Sequence, residues 1–265
     1  MSFVVAVPAR YASVRLPGKP LLELAGRPMI LHVVDAARRS GAREVFVATD
    51  NDRIARTVAE HGAPVELTSA DHASGTDRVA EVVRRRALAA DTIVVNVQGD
   101  EPLIEPERIR EVATALQERP EAGMATLATP LRQSREVFDP NVVKVVTTAE
   151  SLALYFSRAP IPWVRDEPER PAATRDEPLP PSSPFLRHIG LYAYRTGTLL
   201  RLAAHPPVAL ERAECLEQLR ALTLGIGIHV VVTPHAPGPG VDTAADLARV
   251  ERILVERDRA RSEGE

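Results

Sequence analysis

The chain has one cysteine, Cys215, in 265 residues, so no internal disulfide can form, and no Cys–His pattern supports a thiol nucleophile. Aromatic residues make up only 4% and the formal net charge is −3, a poor match to a nucleic-acid binder, which needs basic surface and stacking rings. There is no long apolar run and no signal-like N-terminus, so a cytoplasmic protein without membrane attachment is expected. Internal repeats and a convincing domain linker are missing too. What remains is ordinary: 45% apolar and 26% charged residues, enough chain for a substantial core. The 23 prolines are clustered, which points to ordered loops or to one flexible flap.

The first 120 residues alternate short apolar runs with helical patterns. FVVAVPA, REVFVATD and DTIVVNVQGDEP read as buried strands. RPMILHVVDAARRSG reads as a helix with Pro28 in its first turn and Gly41 as its stop; DRIARTVAEHG, TDRVAEVVRRRALA and EPERIREVATALQERP read as three more. Strands that are continuously apolar imply a mostly parallel sheet covered on both faces, an α/β three-layer sandwich. The second half is less regular and predicts a smaller mixed α/β extension. MATLATP, VVKVVTT, LALYFSR, FLRHIGLYAYR and IHVVVT resemble strands, Leu210 to Leu224 a single helix, and Thr243 to about Arg259 a charged terminal helix. Residues 158–184, rich in Pro and charge, read as a flexible loop or lid within a single domain spanning 1–265.

In such sheets ligands bind beyond the carboxyl ends of the strands. Just past the first strand, PARYASVRLPGKP carries Arg10, Arg15 and Lys19 with almost no acid, and Gly18 lets the backbone turn. Cations and open N–H groups suit a polyphosphate, although the loop follows neither GxxxxGK[ST] nor GxGxxG, and a solvated surface loop is an equal reading. In NVQGDEP, Asp100 could hold Mg²⁺ or cap the next helix. In GPGVDTAADL, Asp242 could be a second metal carboxylate or a plain N-cap. SADHASGTDR offers Gly75 and Arg78 either for close approach of a base or ribose, or as a helix cap. His188, Tyr192 and Tyr194 alternate along one strand face, and Glu214, Glu217 and Gln218 lie close by helical spacing; a polyhydroxylated ligand would use such groups.

Taken together, PARYASVRLPGKPL, VATDNDRIA, ADHASGTDRVAEV, VNVQGDEPLI, MATLATP, VKVV, ALYFSRAPIPW, FLRHIGLYAYR, LEQLR and PGVDTAADL resemble, in order and over nearly the whole chain, the 3-deoxy-manno-octulosonate cytidylyltransferases (CMP-Kdo synthetases). Sialic-acid cytidylyltransferases share the layout, but their first loop has a different pattern. The resemblance implies a nucleotide-diphospho-sugar transferase fold, Mg²⁺ as cofactor and a homodimer. It also implies a reaction in which the anomeric hydroxyl of Kdo attacks the α-phosphorus of CTP, releasing pyrophosphate and feeding lipopolysaccharide assembly. By the same resemblance Arg10, Arg15 and Lys19 fall on the triphosphate loop, with Asp100 and Asp242 as metal ligands. Lys19, Arg10, Arg15 and Asp100 form the catalytic set. Gly75, Arg78 and Gln98 fall beside the nucleotide. Gln98, Arg158, His188, Tyr192, Glu217 and Gln218 fall on the sugar-acid side. Two features depart from the family: Val14, where a hydroxyl residue is common, and a longer Pro-rich stretch over 165–184. The rival enzymatic reading is a nucleotidyltransferase for another sugar acid, an amino-sugar analogue of Kdo or another NTP. The rival non-enzymatic reading is a nucleotide-binding scaffold, which would have no need of Lys19, Asp100 and Asp242 together.

Overall fold

A computed structural model describes residues 2–12, 15–165, 176–234 and 236–262. Val14 and the middle of the Pro-rich stretch, 166–175, lie outside the described residues.

The chain runs β1 (Phe3–Ala9), β2 (Glu23–Leu24), β3 (Arg27–Pro28), α1 (Met29–Arg39), β4 (Glu44–Thr49), α2 (Asp52–Glu60), β5 (Val65–Leu67), α3 (Gly75–Arg85), β6 (Ile93–Asn96) and α4 (Pro106–Gln117). It continues through β7 (Met124–Pro130), α5 (Ser134–Phe138), β8 (Lys144–Thr147), β9 (Ala153–Ser157), β10 (Leu186–Arg195), α6 (Thr196–Ala203), α7 (Ala209–Glu214), α8 (Gln218–Thr223), β11 (Ile228–Val232) and α9 (Ala244–Ser262). The main sheet has the order β11-β7-β10-β6-β1-β4-β5. β1 pairs in parallel with β4 and β6, β4 with β5, and β11 with β7, while β10 enters antiparallel between β6 and β7. β8 pairs with β10 and β9, extending the sheet at one corner.

β1 shows why the sandwich has three layers. Val5 and Val7 pack into one core with residues of α1, α2 and α4, while Val4 and Ala6 pack into the opposite core with residues of α3, α6 and α8. A strand buried on both faces must be apolar throughout, and FVVAVPA is. A smaller cluster of Leu131, Val137, Val142, Leu179 and Phe185 fills the extension around α5. No helix of the described residues is long and apolar enough to cross a membrane.

The single helix expected over 210–224 is two. α7 ends at Cys215, whose backbone is left-handed at φ 51°, and α8 begins at Gln218. An L-residue in that conformation ends a right-handed helix, and the turn redirects the chain. Glu214 therefore does not share a helix face with Glu217 and Gln218. It faces β9 instead, accepting from Ser157 Oγ at 2.6 Å and the Arg158 N–H at 2.9 Å.

Candidate active site

The site is built from loops at the carboxyl ends of β1, β5 and β6, with the loop before α9 closing one side. After β1 the chain turns at Gly18, in the left-handed region at φ 68°, with its N–H donating to the Tyr11 carbonyl at 3.1 Å. A side chain there would be strained and would press on the Tyr11 ring. One turn of 3₁₀ helix follows over Lys19–Leu21, aiming the lysine inward. Its ammonium has three protons to give. They go to Asp100 Oδ2 at 2.6 Å, the Val241 carbonyl at 2.8 Å and Asp242 Oδ1 at 3.2 Å. Arg15 reaches the same Asp242 oxygen at 3.2 Å.

The two ambiguous aspartates are thereby resolved as to capping. α4 starts at Pro106, five residues beyond Glu101, and Asp100 does not cap it. At α9 the cap is Thr243, whose hydroxyl accepts the Asp246 N–H at 3.2 Å while Asp246 accepts the Thr243 and Asp242 N–H groups. That leaves the Asp242 carboxylate directed at the cations. Gly99 makes the close approach of the β6 loop possible: a Cβ there would lie 2.9 Å from the Pro8 carbonyl oxygen.

These loops enclose a cavity of about 420 Å³ lined by Arg10, Arg15, Lys19, Gly75, Arg78, Gln98, Asp100 and Asp242, together with His72 and Ser74. The N-terminus of α3 opens on it, with Ser74 as N-cap accepting the Asp77 N–H at 3.1 Å. Arg78, 3% exposed, is fixed by Asp50 Oδ2 at 2.8 Å and the Ser69 carbonyl at 3.1 Å. Asp50 also accepts the Tyr11 N–H at 3.2 Å, so one carboxylate ties the β1 loop to α3.

A second cavity of about 150 Å³ adjoins the first, sharing Gly75 and Gln98, and is lined further by Thr76, Asn96, Tyr192, Tyr194, Glu217 and Gln218. Gln218 is 6% exposed and its Nε2 is buried with no hydrogen-bond partner among the described residues. An orphaned amide beside a cavity is the expected state of a ligand-binding group awaiting its acceptor. Burial pushes the Glu217 carboxyl above the usual carboxylate range, against hydrogen bonding to Thr76 and Ser74.

A model of the family described as "Cytidylyltransferase" matches residues 4–228. The 3-deoxy-manno-octulosonate cytidylyltransferase of Nitrosococcus oceani is 52% identical over 98% of this chain and 99% of its own length. That of Marinobacter nauticus is 54% identical over 98% and 100%. A solved structure of a CMP:2-keto-3-deoxy-manno-octonic acid synthetase complexed with CTP superposes with a TM-score of 0.84 at 39% identity, covering 97% of this chain and 99% of that one. The chain belongs to the 3-deoxy-manno-octulosonate cytidylyltransferase family.

In this cytidylyltransferase fold, every residue expected beside the triphosphate, nucleotide or metal lines the larger cavity, and Gln98 stands at the seam of the two. Of the sugar-side residues, Gln98, Tyr192, Glu217 and Gln218 line the smaller cavity. Arg158 and His188 line neither. Arg158 Nε donates to the Glu214 carbonyl at 2.7 Å and its Nη1 to the Pro140 carbonyl at 2.8 Å. His188 packs edge-on to Phe156 at 4.9 Å and tilted on Tyr192 at 5.4 Å, and burial pushes its imidazole down to about 3. It is held neutral.

Three neighbours were not foreseen from sequence. Asp50, at the end of β4, is the tie described above. His72 faces the larger cavity and pairs with Glu81. Glu101 sits beside the aspartates, and its carboxyl is raised to about 7 by burial and then by the charges of Asp100 and Asp242, with Lys19 pulling the other way. The signal for Glu101 was available: two adjacent acids follow a buried strand.

Among the described residues no cluster of three or more His, Cys, Asp or Glu side chains gathers as a complete metal cage. The donor set nonetheless fits a hard divalent cation. Two carboxylates from separate loops already converge on one cationic group, Lys19 Nζ, and a magnesium-type ion takes one or two carboxylates and completes its shell with water and substrate phosphate.

Proposed function

We propose that this protein transfers CMP from CTP to the anomeric hydroxyl of Kdo, releasing pyrophosphate and forming CMP-Kdo for lipopolysaccharide assembly. The observation that carries this reading is the pairing of two adjoining cavities: one with Arg10, Arg15 and Lys19 facing Asp100 and Asp242, the other polar, aromatic and neutral to acidic. The family and the substrates named in its relatives supply the nucleotide and the sugar acid.

In the reaction an oxygen–phosphorus bond forms between the sugar's anomeric oxygen and the α-phosphorus as the bond from that phosphorus to the bridging oxygen of pyrophosphate breaks. The hydroxyl proton leaves to solvent. Little covalent help is needed from the protein; positioning and charge neutralisation supply most of the acceleration. Arg10, Arg15, Lys19 and the N-terminus of α3 favour the polyanion and the charge that builds on the departing pyrophosphate. Gly75 leaves room for the nucleotide at the seam, and Arg78 braces the wall it passes. Gln98, Tyr192, Glu217 and Gln218 orient the sugar acid, with His188 packed against the Tyr192 ring. Asp100 and Asp242 would hold Mg²⁺, which when bound supplies charge neutralisation at the phosphates and eases loss of the hydroxyl proton.

We read the whole chain as one nucleotidyltransferase domain working in the cytoplasm as a homodimer. Of the 158–184 stretch expected as a flexible loop or lid, the described end is anchored, with Leu179 buried in the cluster around α5 and its N–H donating to the Arg132 carbonyl at 2.8 Å. The 60% exposure of both Leu154 and Trp163 on the extension is compatible with a face covered by a second copy. Pyrophosphate release measured with each of the four NTPs against Kdo, its amino-sugar analogue and other sugar acids tests the reading. Release with CTP and Kdo, and little with the other pairs, is expected. A preference for another pair would reassign the substrates.

A further inference from the structure

Two of the loops that line the larger cavity follow β1 and β5. These strands are not hydrogen-bonded neighbours, because β4 lies between them, so no ladder fixes one loop against the other. Asp50 stands directly past β4, where the topology places it between the two loops. Its backbone is held on both sides. Thr49 before it is fully buried, and its carbonyl accepts the Thr68 N–H at 2.8 Å. Asn51 after it caps α2, accepting the Arg53 N–H at 2.9 Å.

From that platform the carboxylate reaches in two directions. Oδ1 accepts the Tyr11 N–H at 3.2 Å, and Oδ2 accepts from Arg78 Nη2 at 2.8 Å. Tyr11 belongs to the loop that carries Arg10, Arg15 and Lys19, and its carbonyl accepts the Gly18 N–H at 3.1 Å, one residue before Lys19. Its phenol accepts from Arg53 Nη1 at 2.9 Å, so α2 braces the same loop. A continuous chain of hydrogen bonds thus runs from the turn before Lys19, through Tyr11 and Asp50, to Arg78 on α3. Arg78 is 3% exposed, and a guanidinium so buried needs a carboxylate. Asp50 is its ion-pair partner among the described residues.

We propose that Asp50 is a positioning residue that sets the register between the loop after β1 and the start of α3, so that one nucleotide engages the loop with its phosphates and the α3 wall with its nucleoside. This rests on the larger cavity being the CTP site. Asp50 lines neither cavity and acts through Tyr11 and Arg78. Two half-sites held at the right spacing bind a ligand that spans them more tightly than either half alone. Loosening the spacing forfeits that gain but leaves each half in being. Arg78 Nη1 would still donate to the Thr68 hydroxyl and the Ser69 carbonyl, and Tyr11 would still be held by Gly18 and Arg53. An ion pair that merely stabilises the fold would weaken every ligand alike, or none.

Asp50→Asn keeps the shape, but its amide nitrogen meets one of the two donors and cannot accept from it. Asp50→Glu keeps the charge that Arg78 needs and moves the carboxylate by one methylene; it serves should the asparagine variant fail to fold. Thermal melting of the full chain checks the fold. Calorimetric titration with CTP, CMP and inorganic pyrophosphate, each with Mg²⁺, reads the effect. In either variant the Kd for CTP should rise about tenfold or more, while those for CMP and pyrophosphate change by less than about threefold. Steady-state kinetics should show a raised KM for CTP and a KM for Kdo nearly unchanged. An unchanged Kd for CTP, or CMP or pyrophosphate weakened as much as CTP, would overturn the proposal. A parent chain that does not bind CTP overturns the functional reading and this proposal with it. A parent that binds and turns over CTP, beside an Asp50→Asn variant of unaltered CTP affinity, overturns this proposal alone.

Discussion

Lys19 Nζ lies 2.6 Å from Asp100 Oδ2, joining side chains 81 residues apart. The same ammonium donates to Val241 and Asp242, so one cation, only 13% exposed, pins the loops after β1 and β6 to the loop before α9. On the proposed reading Lys19 then has two duties, assembling the cleft and neutralising phosphate. Lys19→Ala should lower kcat/KM for CTP by about 2 kcal/mol or more in transition-state stabilisation. An unchanged kcat/KM would return the β1 loop to a plain surface role.

Asp100→Asn removes a charge and keeps the shape. The variant should fold, should bind CTP in the absence of metal about as well as the parent, and should lose turnover on the order of 10²-fold at ordinary Mg²⁺. Calorimetric titration with CTP and a turnover assay separate the two effects. Normal turnover would remove Asp100 from the metal set.

His188 makes a pH prediction whose sign can be worked out. Burial moves its imidazole from 6.5 to about 3, so between those values the native chain binds fewer protons than the unfolded chain. Stability then rises with pH in that window: the contribution is whole above about 6.5 and is lost as pH falls toward 3. Because His188 is only half-buried, solvent tempers the size of the effect. His188→Gln should gain on the parent in thermal midpoint as the buffer goes from pH 7 to pH 4, on the order of a few degrees for each kcal/mol or so. Parallel melting curves across that range would contradict a histidine held neutral.

Cys215 sits at φ 51° between α7 and α8, where a residue without a Cβ is at ease. Cys215→Gly should stabilise the fold by up to about 1 kcal/mol, measured by chemical denaturation, and leave turnover unaltered. A loss of stability would mean that the thiol's contacts outweigh the backbone strain.

The fold was legible where physics acts locally or along one strand. Continuous apolar runs such as FVVAVPA and IVVN announce burial on both faces, and Val5 and Val7 against Val4 and Ala6 show the two cores directly. The larger cavity was legible too, because its cations and carboxylates stand in loops just past such strands. Other features leave no local trace. The antiparallel entry of β10 between β6 and β7 depends on non-local pairing, which no periodicity encodes. The break at Cys215 falls in a stretch, ERAECLEQLR, whose residues all favour or tolerate helix. Whether Asp242 or Thr243 caps α9 depends on which side-chain oxygen meets the Asp246 N–H, and adjacent cap-forming residues in the sequence leave that choice open. The separation of Glu214 from Glu217 follows from the same break: spacing along the chain groups the two acids, whereas Glu217 lines the inner cavity and Glu214 faces β9.

The most direct test of the central claim is the mass of the product formed when the chain is incubated with CTP, Kdo and Mg²⁺. The account predicts CMP-Kdo and pyrophosphate in equal amounts, formed only when both substrates are present. Hydrolysis of CTP without a sugar nucleotide, or a product carrying a different nucleotide in competition with CTP, would contradict it.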